Sequence, residues 1–379
     1  MISTLVSRLP HSLRKQIEHR INLLRAAENT GWIIANNVVR LVIAMVVGVW
    51  VARYLGAEQY GLFNYAVSFN AILRSIIPLG ISNLLVRDLA RDREARNMIL
   101  GSAFTVQLLV SVAMMLVAIG NAIFLQNADP VSQKLTLILA VTLVMMPFEM
   151  IGPWFQSQLQ AVKVLIANTT SLLLMAVVRI WLVQTNASLE AFVYLVIVER
   201  TVNIATLLYL YQKSGERIQF WRFDRKGATG MTSEGLPLFW AMLARSVYTR
   251  GTEIMIKSLS SPTALGYFSA ATRITDLYAI VPAAIISSAT PIISRSKVQD
   301  RTLYLKQLTN LFRITSVIGL ASTVTIGLLA TWLMPFVYGP EFAGAGSVLV
   351  IHIWATIPAT FSMLFGLWIV NEGLIAVQF

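Results

Sequence analysis

The sequence has no cysteine, which excludes disulfides, thiolate metal centres and a cysteine nucleophile. Charge is scarce: only 13% of the 379 residues are Asp, Glu, Lys or Arg, and the acidic residues number 18 against 30 basic ones. Signatures of catalysis are missing as well. There is no G-x-x-x-x-G-K-[ST] loop for nucleotide phosphates, no H-E-x-x-H zinc helix, no G-x-S-x-G elbow and no D-x-D pair for a sugar-nucleotide metal. No cofactor is expected, and no polar segment exceeds about 30 residues, well short of a soluble domain. The N-terminus, Met1 to Glu28, is polar and basic and lacks the short apolar core and small-residue cleavage site of a signal peptide.

Apolar residues fill the space that charge leaves. They make up 56% of the chain and give a mean hydropathy of +0.68, an excess that a water-facing globular surface could not absorb. The net charge of +12 would suggest nucleic acid in a soluble protein. Here the basic residues fall between apolar runs, where they face anionic membrane lipid instead, and nucleic acid is set aside.

A helix crosses about 30 Å of hydrocarbon with about 20 apolar residues. Ten stretches of that kind recur: Trp32–Val51, Leu62–Ile81, Ile99–Leu125, Leu135–Phe155, Val164–Val183, Phe192–Tyr211, Leu236–Ile256, Gly266–Ser288, Ile314–Leu333 and Ser347–Val370. An eleventh begins near Gly373. None alternates with a period of two, so the reading is all-α and polytopic rather than a barrel. With the N-terminus in the cytoplasm, inside loops hold nineteen Lys and Arg and outside loops three, Arg53, Lys134 and Lys257, with correct alternation throughout. The organisation that follows is a cytoplasmic segment 1–28, a first transmembrane lobe 29–211, a basic cytoplasmic linker 212–235 and a second lobe 236–379.

The chain repeats itself at a spacing of 205 residues: Arg40 matches Arg245, Gly61 matches Gly266, Phe63 matches Phe268, Pro130 matches Pro335 and Pro153 matches Pro358, while Ile81-Ser82 recurs as Ile286-Ser287. Six helices separate the copies, so both halves share one orientation, as in parallel-repeat transporters. The first half ends near Tyr211, which places the end of the second near residue 416, yet the chain stops at Phe379. The expectation is a second six-helix lobe shortened by most of helix eleven and all of helix twelve.

Eight arginines lie within or beside the apolar spans: Arg40, Arg74, Arg179, Arg200, Arg245, Arg250, Arg273 and Arg313. A charge near the bilayer centre costs about 2.5–3.5 kcal/mol on insertion scales, so such a residue faces a partner or a wet cavity. Arg40, Arg74 and Arg245 fall nearest the midplane, with Arg250 and Arg273 behind them. Guanidinium forks around one cavity would bind a pyrophosphate or an acidic sugar. The competing reading is helix-stapling ion pairs, since Arg250/Glu253 and Arg273/Asp276 stand three residues apart and Glu199 adjoins Arg200. Arg179 and Arg313 are placed to snorkel. Membrane carboxylates are fewer, Glu149, Glu199, Glu253 and Asp276, and of these Asp276, Glu253 and Glu149 are the candidates for exchanging a proton as a cavity opens to each side. His352 stands alone in the tenth span, where packing or a hydrogen bond accounts for it. Prolines 78, 147, 153, 282, 291 and 358 are candidate bending points. With no enzyme signature, transport is the function left.

The stretch V-A-R-Y-L-G-A-E-Q-Y-G-L-F at Val51–Phe63, then Pro78-Leu79-Gly80, resembles the polysaccharide-transporter branch of the multidrug/oligosaccharidyl-lipid/polysaccharide superfamily. Leu265-Gly266-Tyr267-Phe268-Ser269-Ala270-Ala271 and Tyr338-Gly339-Pro340-Glu341-Phe342 carry the same likeness into the second half. The resemblance implies a Wzx-type flippase that moves undecaprenyl-pyrophosphate-linked O-antigen or exopolysaccharide units across the bacterial inner membrane, around a cationic cavity and often with proton coupling. Partners implied are the lipid-linked anionic oligosaccharide and, beside it, a polysaccharide polymerase and chain-length proteins. A multidrug cation antiporter of the same superfamily and a multispanning polymerase are the alternatives. A cationic cavity suits anionic cargo, and a polymerase would show a large outside loop, which this chain does not.

Overall fold

The computed structural model describes residues 11–124 and 129–374, with side chains placed from residue 40 onward apart from Val298. Among the described residues every regular element is helical. The helices are α1 (His11–Ile76), α2 (Ile81–Arg91), α3 (Arg96–Phe124), α4 (Pro130–Met145), α5 (Ile151–Ser157), α6 (Ala161–Gln184), α7 (Leu189–Lys213), α8 (Arg225–Leu259), α9 (Pro262–Gln299), α10 (Arg301–Tyr338), α11 (Ala345–His352) and α12 (Thr356–Glu372). Short 3₁₀ turns at Met146–Met150 and Ile353–Ala355 join α4 to α5 and α11 to α12.

Eight segments are long and apolar enough to cross a membrane, against the ten expected. Two local reasons account for the difference. Helix α1 carries the first two spans as one continuous element, bent at Gly56, whose φ of 70° and ψ of 173° are open to glycine without strain. Helix α8 holds the seventh span, but Arg245, Arg250, Glu253 and Lys257 lower its apolarity below that of a lipid-facing helix. The second span also ends earlier than expected. Instead of reaching Ile81, α1 stops at Ile76, and Ile77–Gly80 form a buried turn closed by Leu79 N–H to Ile76 C=O and Ile81 N–H to Pro78 C=O. Pro78 removes a helical donor at that point, and both freed ends are satisfied locally. Proline has no such effect in α9, which runs unbroken through Pro282 and Pro291.

The chain falls into two compact units, residues 1–48 and 49–379. The first contributes the N-terminal arm of α1, including Arg40. Within the second, α3 packs on α4, α6 on α7 and α4 on α7, while α9, α10, α11 and α12 pack on one another. The segment leading into α8 is tied to the first of these bundles. Arg222 N–H donates to the Asn97 carbonyl at 3.0 Å, Asp224 N–H to Ser102 Oγ at 2.9 Å, and the Trp221 ring joins Phe104 and Tyr211.

The 205-residue spacing holds from the Gly56 bend through the start of the third span in each half, Arg96 and Arg301. It is interrupted at the next turn: Pro130 begins α4, whereas Pro335 lies inside α10, four residues before its C-terminal Gly339 cap, so these two prolines stand in different local structure. The spacing is then regained, because α5 and α12 begin at Ile151 and Thr356 after a 3₁₀ turn, with Pro153 and Pro358 each third in its helix. The eleventh span expected from Gly373 lies largely outside the described residues; Gly373 itself caps α12 at φ 75°.

Candidate functional site

Burying a guanidinium in an apolar bundle requires a partner for it, and the positions of the carboxylates decide where the arginines settle. In the first half the partner is Glu149, carried on the 3₁₀ turn Met146–Met150 that Pro147 opens. Arg74 Nη2 donates to both Glu149 oxygens at 2.9 and 3.0 Å, and its Nη1 donates to the Thr142 carbonyl at 3.3 Å. Arg200 approaches the same carboxylate at 3.6 Å. Two arginines thus share one acid. Asn70 and Thr142 hydrogen-bond beside them, fixing α1 against α4.

Neighbours in sequence turn out not to be partners here. Glu199 faces Arg179 across the α6–α7 contact, not the adjacent Arg200, because successive helical residues point about 100° apart. Arg179 is therefore ion-paired rather than simply snorkelling.

The second cluster joins the two halves. Glu253 on α8 is buried, accepts a hydrogen bond from Ser68 Oγ of α1 and pairs with Arg250 at 3.3 Å. Arg273 on α9 lies beside the Tyr60 hydroxyl and the Glu253 and Asp276 carboxylates. Arg273 and Asp276 are both solvent-exposed. The pair expected between them is not closed to ion-pair distance among the described residues. His352 is held by Thr275 Oγ1 at 3.1 Å and by the edge of Phe268, in keeping with a packing role.

Arg245, one turn before Thr249 on α8, is exposed and makes no ion pair among the described residues. Arg40 lies in the N-terminal unit, and its Nε has no hydrogen-bond partner there. Of the expected arginines, the structure therefore gathers Arg250 and Arg273 around Glu253, engages Arg74 with Glu149 and, among the described residues, gives Arg245 and Arg40 no carboxylate partner. Ser68 and Tyr60 were not foreseen. Small hydroxyls in an apolar run carry no charge signal, and only the pairing of α1 with α8 and α9 reveals them.

The comparisons agree with this architecture. Residues 26–297 match the family described as polysaccharide biosynthesis protein. Among solved structures, an inward-facing multidrug resistance MATE family transporter of the MOP superfamily is similar at 16% identity, with 88% of this chain and 81% of that chain covered and a TM-score of 0.68. The lipid II flippase MurJ in an inward closed conformation is similar at 14% identity, covering 88% and 75%, with a TM-score of 0.68. An outward-facing MATE transporter gives 15%, 89%, 81% and 0.55 for the same measures. At these identities the likeness establishes the fold. No curated protein matches the sequence. Apolar helices, fold and a match over most of the length together make this a multi-pass membrane protein that belongs to the polysaccharide biosynthesis protein family.

Proposed function

We propose that this protein flips undecaprenyl-pyrophosphate-linked oligosaccharide units across the bacterial inner membrane, N-terminus in the cytoplasm, for O-antigen or exopolysaccharide synthesis. One observation carries the proposal: the membrane arginines outnumber their acids, and among the described residues the excess is left without carboxylates. Glu149 serves two arginines, Glu253 serves Arg250 with Arg273 nearby, and Arg245 has no ion pair among the described residues. A cavity with surplus guanidinium attracts pyrophosphate or acidic sugar and repels the cations a multidrug antiporter exports. Glu253, buried between the halves on Ser68, is the proton-coupling residue this reading favours; Asp276 and Glu149 are the further candidates. A polymerase and chain-length proteins would act on the delivered units.

Replacing Arg245 or Arg40 with Ala is expected to abolish surface polysaccharide at normal membrane levels of the protein, and Lys to restore part of it, since it keeps charge but loses the fork. Lipid-linked intermediates measured by mass spectrometry should accumulate in the Ala strains. Normal export from both Ala variants would refute the cationic cavity. Efflux of organic cations with no change in surface polysaccharide would favour the antiporter instead.

A further inference from the structure

Arg53 and Lys257 each stand at the end of the first membrane pass of their half, 204 residues apart and so one residue out of the 205-residue register. Each crosses to the opposite half and lands on the same turn there, the one between the third and fourth passes. Arg53 Nε donates to the Val337 carbonyl at 2.6 Å and its Nη2 to the Phe336 carbonyl, the last turn of α10. Those carbonyls have no acceptor role left within their own helix and sit at the negative end of its dipole. Lys257 Nζ donates to Asp129 Oδ2 at 2.6 Å, at the start of α4. Asp129 is itself held by the Ser132 N–H at 3.1 Å, and the ammonium lies 4.6 Å over the Tyr65 ring.

Between the two cations the backbones of the halves touch with the same reciprocity. A Cβ on Gly61 would collide with the Pro262 carbonyl, and a Cβ on Gly266 with the Ala57 carbonyl; Ala57 and Pro262 are themselves 205 residues apart. Tyr60, Phe342 and Tyr267 complete the seam. Away from this end, α2–α7 and α9–α12 share little contact, and what joins the halves there is the segment entering α8. The halves are thus attached at two places, this seam and the α8 entry, where Gly80 and Gly235 also meet backbone to backbone; the two cation contacts belong to the seam.

We propose that Arg53 and Lys257 are twin clasps that hold this end shut, and that release of both opens the molecule to that side. Each clasp is polar, small and made to a turn, whereas the glycine seam beneath it is close-fitting but carries no cross-link. A two-state gate needs polar contacts that can be exchanged for water; Arg53 is exposed and released at modest cost, while Lys257, 15% exposed, is the firmer of the two clasps. The inference depends neither on the identity of the cargo nor on which compartment this end faces.

The absence of cysteine permits spin labels at Glu58→Cys and Ser260→Cys in the full chain reconstituted in lipid nanodiscs. Pulsed electron resonance on the parent should read one short distance across the seam. Combining Arg53→Gln with Asp129→Asn is expected to add a second, longer peak, and the exchange Asp129→Lys with Lys257→Asp, made in the Arg53→Gln background, to return the short one. An unchanged distribution in the double variant overturns the proposal. So does a long peak that persists in the charge exchange with the protein still folded by its melting profile, because then the pair's charge complementarity is not what holds the end closed.

Discussion

At the scale of single residues, the membrane charges divide into those with a structural partner and those without. Arg74 is only 14% exposed, and both its close contacts, Glu149 and the Thr142 carbonyl, lie on the α4–α5 segment. Removing one member of a buried pair leaves the other charge uncompensated, at a cost of about 3–5 kcal/mol. Glu149→Gln should therefore lower the melting temperature of the solubilised protein strongly, and Arg74→Met added to it should recover part of the loss; a thermal-shift series that finds Glu149→Gln neutral would show the acid free to titrate in transport. Asp129 behaves differently because it lies at the membrane edge. Desolvation works to raise its pKa, but the hydrogen bonds from Lys257 and Ser132 outweigh it and hold the carboxylate below its usual range. A depressed pKa means the clasp is fully formed above the ordinary carboxylate value of about 4 and is lost only as pH falls through the lowered one. The groups facing it are Lys257 and Ser132, with Tyr65 over the ammonium. The short distance between labels at residues 58 and 260 is accordingly expected to stay unchanged from pH 8 to pH 5. The arginine positions were legible in sequence because a charge stands out in an apolar run. Their partners were not: Glu199 chose Arg179 over adjacent Arg200, a choice made by the facing of α6 and α7.

At the scale of elements, glycine and proline act through where they stand. Gly61 and Gly266 meet backbone, not flexible side chains, so a methyl group there cannot be accommodated by rotamer change. Gly61→Ala and Gly266→Ala should each destabilise by at least about 1–3 kcal/mol, the range for overpacking, read as a fall in melting temperature, while Gly120→Ala, which meets open space, should not. The span count shows why elements were only partly readable. Apolar length located each pass, but the break at Ile77–Gly80 and the continuity of α9 through two prolines depend on whether neighbouring atoms satisfy the freed backbone groups. The interruption of the repeat between its third and fourth passes is similar: α10 runs on through Pro335 where its counterpart has already ended, yet the helices after the 3₁₀ turns, Ile151 and Thr356, begin 205 residues apart again.

At the scale of the whole molecule, the proposed orientation makes a direct demand on accessibility. Single cysteines replacing Glu58 or Glu341 should react with an impermeant thiol reagent in intact cells, and those replacing Arg93 or Arg222 should not; the reverse pattern would invert the topology. The class of this protein was set by the sequence alone, because hydrocarbon admits only segments that satisfy their own backbone, and ten apolar lengths with alternating basic loops satisfy that condition whatever they pack against. The arginine surplus was equally fixed by composition. Only the tertiary structure decided which arginines are neutralised, that Ser68 and Tyr60 reach across to Glu253 and Arg273, and that Arg53 and Lys257 close one end as a pair. Those contacts join residues about 130 to 290 positions apart. Hydrogen bonds at 3 Å are set by how helices cross, and helix crossing depends on the shapes of all the side chains between them, which no local pattern encodes.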